Sequence, residues 1–201
     1  MNDIERRFFA AGTCRIERRA DNKVRLIGYA AVFNERSENL GGFREVVAPG
    51  AFAEAIEKDD VRGLFNHDPN WVLGRNTAKT LHLSEDSRGL LYEIDLPETQ
   101  SVRDQVVAPI ERGDVSGSSF GFRVRPNGQD WADDDDGVTI RTLKSVRLFD
   151  VSPVTFPAYP QTDVAVRCLG EWRKAKAPPV PAFRPLLLRS MSEQARLEEF
   201  V

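Results

Sequence analysis

The sequence predicts a β-rich α+β domain, which we expect to form a closed antiparallel β-barrel flanked by a few helices. Three observations favour this fold class. Many short segments alternate apolar and polar residues and are rich in β-branched and aromatic side chains. Only two segments inside the region 13–167 have helical spacing. Turn-forming residues separate the segments, as expected of strands that follow one another around a barrel.

Seven strands are predicted within the region 13–167. In chain order they cover residues 14–17, 24–33, 61–66, 79–83, 89–96, 115–124 and 138–151. Asp21 and Asn22 are turn formers, so they predict a hairpin between the first two strands.

Two helices are predicted within the same region. Residues 51–58 place phenylalanine, alanine and isoleucine on one face. Residues 98–113 repeat valine and isoleucine every four positions, with Thr99 as an N-cap. Proline lacks the N–H of a helical hydrogen bond, so Pro109 should kink the last turn.

The chain divides into three parts by composition. We expect a flexible lead-in over residues 1–12, one domain over 13–167, and a linker and tail over 168–201. Residues 175–185 are rich in proline, alanine and basic residues, which is typical of linkers. Residues 190–200 have the spacing of a short amphipathic helix, although a disordered tail fits equally well.

Composition narrows the functional class. The 201 residues carry a net charge of -3 with no basic stripe, so nucleic acid is not an expected partner. No apolar run approaches the about 20 residues that span a bilayer, and the charged N-terminus lacks a secretory signal. Cys14 and Cys168 are too few for a disulfide framework or a zinc site. We therefore expect a cytosolic protein without a metal or cofactor.

Two short segments carry the chemical information. His67 ends the apolar run of strand 61–66, and Ser119 lies in Gly117-Ser118-Ser119-Phe120-Gly121, a G-x-S-x-G pattern. A histidine base that removes the proton of a serine hydroxyl is the basic equipment of nucleophilic acyl transfer. Each segment taken alone also fits a purely structural interpretation. The histidine fits a surface loop, and the serine fits the start of an ordinary strand.

The third member of such a set should orient the histidine. Asp150 ends the apolar part of strand 138–151, where a carboxylate needs a partner, although it also fits a turn cap before Pro153. The other histidine, His82, alternates with leucines and reads as a solvent-facing strand residue. The acidic run 133–136 lacks the spacing of a calcium loop and reads as a hairpin tip.

In sequence order, six segments resemble those of the prohead proteases of tailed bacteriophages, the serine proteases of capsid maturation. They are Gly28–Phe33, Val47–Phe52, Phe65–Asp68, Leu73–Arg75, Gly113–Phe122 and Asp150–Tyr159. The resemblance covers about residues 13–167 and implies a fold similar to that of the herpesvirus assemblins, a β-barrel wrapped by helices.

The resemblance also implies residue roles. His67 would be the general base, Ser119 the nucleophile and Asp150 the third member, at a position where the family often has glutamate. Ser118 stands where the family often has methionine, so two adjacent serines compete. Strand alternation points only one of them into the site, and Ser119 is our choice.

The implied substrates are the scaffolding segment of the major capsid protein, the internal scaffold and the enzyme itself. Cleavage would take place inside the immature capsid, the prohead, in the host cytoplasm. Homo-oligomerisation stays open, because assemblins are activated by dimerisation.

Two other functions are considered. One is a non-catalytic capsid assembly module that keeps the same fold. The other is an esterase using the same pair, which the chain order disfavours because the α/β-hydrolase histidine follows its serine.

Overall fold

The computed structural model describes residues 4–9, 14–20, 23–156 and 163–176. Twelve strands in this part of the chain form three sheets. The strands are β1 (Glu5–Phe9), β2 (Cys14–Arg18), β3 (Val24–Val32), β4 (Arg44–Val47), β5 (Arg62–Phe65), β6 (Asp68–Arg75), β7 (Leu81–Glu85), β8 (Gly89–Asp95), β9 (Gly117–Val124), β10 (Gln129–Asp133), β11 (Thr139–Leu143) and β12 (Val146–Val154). The helices are α1 (Ala53–Lys58), α2 (Gln100–Val102), a π-helical turn (Arg103–Val107), α3 (Ala108–Arg112) and α4 (Asp163–Lys176).

The five-stranded sheet has the order β1-β9-β12-β5-β6. The central strand β12 is antiparallel to β9 and parallel to β5. The other sheets have the orders β10-β11-β4 and β2-β3-β8-β7, and β4 is parallel to β11.

The predicted closed antiparallel β-barrel is therefore wrong, while the β-rich α+β class is right. All three sheets in the described residues are open and keep edge strands. The parallel pairs are the physical reason. β4 and β5 reach partners from the C-terminal part of the domain, so the chain does not run as successive antiparallel neighbours.

The core lies between the sheets. Its centre is aromatic: the Phe52 ring meets Phe120 edge-on, with centroids 5.3 Å apart, and Phe120 contacts Phe122 at 4.9 Å. Phe120 and Phe122 lie on β9 and are fully buried. The strand that carries Ser119 is thus fixed by its core-facing residues.

The second predicted helix is present but irregular. The Thr99 side chain accepts a hydrogen bond from the Val102 N–H, as predicted for an N-cap. The π-helical turn Arg103–Val107 precedes Pro109, which lies in the first turn of α3 and donates no hydrogen bond. Gly113 ends the helix with a φ of 83°, a left-handed conformation that favours glycine.

Several local predictions hold and others do not. β2 and β3 pair as the predicted hairpin, whose turn at Asp21 and Asn22 lies outside the described residues. The segment 138–151 is two strands, β11 and β12, rather than one. β1 lies within the predicted flexible lead-in, and α4 crosses the predicted boundary at residue 167. The predicted helix 190–200 falls outside the described residues.

No helix in the part of the chain that the structure describes is long and apolar enough to cross a membrane.

Candidate active site

His67 lies at the tip of the β5–β6 hairpin. Phe65 pairs with Asp68, so Asn66 and His67 form the two-residue turn between the strands. Both have left-handed backbones, with φ of 53° and 57°. A two-residue hairpin turn with positive φ at both positions matches the twist of its strands. Asparagine and histidine are among the non-glycine residues that tolerate this conformation best.

The hairpin tip is fastened to the end of β12 by Asn66. Its side-chain amide donates to Thr155 Oγ1 at 3.1 Å, and its side-chain oxygen accepts the Thr155 N–H at 2.8 Å. The Asn66 N–H donates to the Pro153 carbonyl at 3.0 Å. These three hydrogen bonds fix the hairpin against the strand that carries Asp150. The sequence analysis gave Asn66 no role.

Ser118 and Ser119 point to opposite sides of β9, as strand alternation requires. The Ser119 hydroxyl donates to His67 Nε2 at 2.6 Å, whereas Ser118 Oγ shares a 2.9 Å hydrogen bond with the Tyr92 hydroxyl inside the core. Burial raises the pKa of Tyr92 well above its ordinary value, so Tyr92 stays a neutral hydroxyl. Of the two competing serines, Ser119 is the one that meets the histidine.

Asp150 completes the chain of hydrogen bonds. His67 Nδ1 donates to Asp150 Oδ1 at 2.5 Å. A carboxylate only accepts hydrogen bonds, so Nδ1 carries the hydrogen and Nε2 is left to accept from Ser119. A bulge between Leu148 and Asp150 sets Asp150 opposite Gly121 of β9.

Gly121 provides the space for that carboxylate. A Cβ atom at this position would lie 2.3 Å from Asp150 Oδ2. Gly121 therefore has a steric role at the site, which the sequence analysis used only as part of a motif.

The edge strand β1 borders Ser119 on the side of β9 away from β12. Phe8 pairs with Ser119, and its ring lies against Gly117 on the same face of β9. Ser119 is itself fully buried in this arrangement.

A buried cluster of four charged side chains holds β1 in place. Glu5 and Arg7 of β1 meet Glu45 of β4 and Arg141 of β11, and all four are at most 5% exposed. Arg141 donates to both carboxylates, at 2.7 Å to Glu5 and 3.0 Å to Glu45. Burial alone raises the pKa of Glu5, but the hydrogen bond and charge of Arg141, with those of Arg7, outweigh it and lower that pKa.

A depression of about 190 Å³ adjoins the hairpin that carries His67. Its walls are the aromatic pair Phe65 and Trp71, the turn residues Asn66 and Asp68, and Gln105 of the π-helical turn. The depression is therefore an aromatic-walled recess directly beside the turn that carries His67.

The remaining chemical candidates play no part in this site. The His82 side chain is 49% exposed on β7, 3.8 Å from Asp95, in agreement with the solvent-facing prediction. Burial raises the pKa of Cys14 to about 11, so its thiol is not a ready nucleophile. Asp134 and Gly137 lie in the turn between β10 and β11, as predicted for the acidic run. Among the described residues no group of acidic, histidine or cysteine side chains is arranged to hold a metal ion.

Comparison with known proteins confirms the predicted resemblance. A family model described as caudovirus prohead serine protease matches residues 13–174. The prohead protease of Enterobacteria phage HK97 is 34% identical over 143 residues, which cover 69% of this chain and 57% of that relative. The chain thus spans less than two thirds of the length of the relative it matches. No solved structure matches. On the extent of these two matches, the chain belongs to the caudovirus prohead serine protease family.

Proposed function

We propose that this protein is a serine endopeptidase of phage capsid maturation in which Ser119 is the nucleophile, His67 the general base and Asp150 the orienting carboxylate. The observation that carries the proposal is the unbroken line of hydrogen bonds from the Ser119 hydroxyl through the imidazole to Asp150, at 2.6 Å and 2.5 Å. The Ser119–His67 distance lies within the range expected of a nucleophile and its base, and the close His67–Asp150 contact supplies the third group that orients the base.

The proposed reaction follows from the direction of these hydrogen bonds. His67 Nε2 takes the Ser119 proton as the serine oxygen attacks the scissile carbonyl. The imidazolium then donates that proton to the leaving amine, which releases one fragment and leaves an acyl-serine. A water molecule, with His67 again as the base, then attacks the acyl-serine carbonyl. The second fragment is released and the Ser119 hydroxyl is restored. The Asp150 carboxylate holds the ring in the required tautomer and stabilises its positive charge.

The proposed substrates are the scaffolding segment of the major capsid protein, the internal scaffold and this protein itself, cleaved inside the prohead. The relative from phage HK97 is named a prohead protease, which supports this setting. Self-cleavage would fall in the proposed linker and tail, residues 168–201, where a proline-rich segment offers an accessible chain. Assembly of this protein into a homo-oligomer belongs to the same proposal.

Incubation with a purified precursor of the major capsid protein tests the proposal. Mass spectrometry should find the scaffolding segment removed by the wild type and not by Ser119→Ala. Ser118→Ala, which loses an equally buried hydroxyl on the other face of β9, should keep cleaving. Normal cleavage by Ser119→Ala would refute the assignment of the nucleophile. An unprocessed precursor with the wild type would favour a non-catalytic assembly module.

A further inference from the structure

Ser152 is a buried polar residue next to the proposed catalytic set. It lies on β12 two residues after Asp150 and pairs directly with Ser119 across the β9–β12 ladder. Its side chain is fully buried, and its Oγ lies 3.0 Å from Asp150 Oδ1 and 3.4 Å from His67 Nδ1. A buried hydroxyl in this position requires a partner.

The direction of its hydrogen bond follows from its neighbours. His67 Nδ1 already donates its hydrogen to Asp150 Oδ1, so Nδ1 offers Ser152 no acceptor. The Ser152 hydroxyl therefore donates its single hydrogen to Asp150 Oδ1. That oxygen receives two donors, while Asp150 Oδ2 receives none from any residue within the described ranges and faces the space left by Gly121.

We propose that Ser152 is a positioning residue that acts through Asp150, an inference that rests on the proposed protease function. With one donor alone the carboxylate can turn about its Cβ–Cγ bond. The second donor, from a residue on the same face of β12, fixes the carboxylate plane in line with His67. The same hydrogen bond partly neutralises the negative charge on Asp150, so the carboxylate attracts the imidazolium less strongly.

Replacement of the Ser152 hydroxyl has a specific expected signature. In Ser152→Ala, kcat for a capsid-protein precursor should fall about tenfold, the effect of losing roughly one hydrogen bond to a charged group, with KM unchanged. The acid limb of the rate–pH profile should move to higher pH. A carboxylate without the second hydrogen bond attracts the imidazolium more strongly, so the imidazole stays protonated up to a higher pH. Ser118→Ala is the matched control: it loses an equally buried hydroxyl and should change neither kcat nor the pH profile.

The coupling to Asp150 gives the decisive comparison. In an Asp150→Ala background the acceptor is gone, so Ser152→Ala should have little further effect on kcat. Ser152→Cys keeps the side-chain shape, with a somewhat larger atom and a much weaker donor. It replaces the alanine variant if that variant does not fold, and the same fall in kcat and the same shift of the acid limb are expected.

An unchanged kcat and pH profile in Ser152→Ala, or in Ser152→Cys, would overturn the inference. A full tenfold loss that persists without Asp150 would do the same. The proposed function fails separately, if Ser119→Ala cleaves the precursor at the wild-type rate.

Discussion

Replacement of Gly121 by alanine should disable the site by steric displacement of Asp150. The new methyl carbon would lie 2.3 Å from Asp150 Oδ2, where ordinary contact begins at 3.4 Å, so the carboxylate has to retreat by about 1 Å. A retreat of that size stretches the hydrogen bond to His67 to as much as about 3.5 Å, beyond the range of a good N–H···O bond. A misplacement of about 1 Å at a catalytic group costs roughly 10²-fold in rate. We therefore expect kcat/KM to fall at least about a hundredfold.

The assay is cleavage of a capsid-protein precursor, followed by mass spectrometry and paired with urea unfolding. Gly63→Ala is the control. Its Cβ meets Ile94 Cδ1 at 2.4 Å, a similar clash in the same sheet, but against a core methyl group rather than the carboxylate. Both variants should lose some stability, and only Gly121→Ala should lose activity. Equal activity in Gly121→Ala and Gly63→Ala would refute the steric role of Gly121.

Three further predictions concern the supports of the site. Ser118→Ala removes a buried hydrogen bond and should lower the free energy of unfolding by about 1–3 kcal/mol, measured by urea denaturation, with activity retained. Asn66→Ala cuts both side-chain hydrogen bonds to Thr155, so kcat should fall about tenfold because the hairpin tip is loosened; unchanged turnover would contradict this. Because the pKa of Glu5 is lower in the folded state, its carboxylate stabilises the fold at pH values above the ordinary pKa of 4.5. This contribution is lost as the pH falls through the lowered pKa of the folded state. Urea midpoints between about pH 5 and pH 3 should therefore fall more steeply in the wild type than in Glu5→Gln, and parallel slopes would contradict that.

The residues of the candidate site could be proposed from the sequence because each of them lies in a recognisable local pattern. His67 ends an apolar run, Ser119 lies between glycines, and Asp150 follows an apolar strand. Strand alternation alone predicted that only one of Ser118 and Ser119 would face the histidine. The supports of the site carry no such signal. Ser152 and Asn66 act through hydrogen bonds to residues that only the folded chain brings near.

The edge strand β1 shows why part of the fold was missed. Its alternation buries Glu5 and Arg7, and a charged residue normally predicts a solvent-facing position. Arg141 lies 136 residues from its partner Glu5, and Glu45 lies 38 residues from its partner Arg7. The sequence around β1 therefore does not indicate that these charges are paired. The parallel pairings of β4 and β5 were not predicted either. Alternation indicates which face of a strand each residue lies on, but not whether the neighbouring strand runs parallel or antiparallel.

The central claim is that the hydroxyl of Ser119, and no other, is activated by His67. A fluorophosphonate probe, which forms a stable phosphonyl ester with an activated serine, tests it most directly when the labelled residue is located by peptide mass spectrometry. The account predicts an adduct on Ser119 that is lost in His67→Ala and persists in Ser118→Ala. An adduct on Ser118, or equal labelling with and without the imidazole, would contradict it.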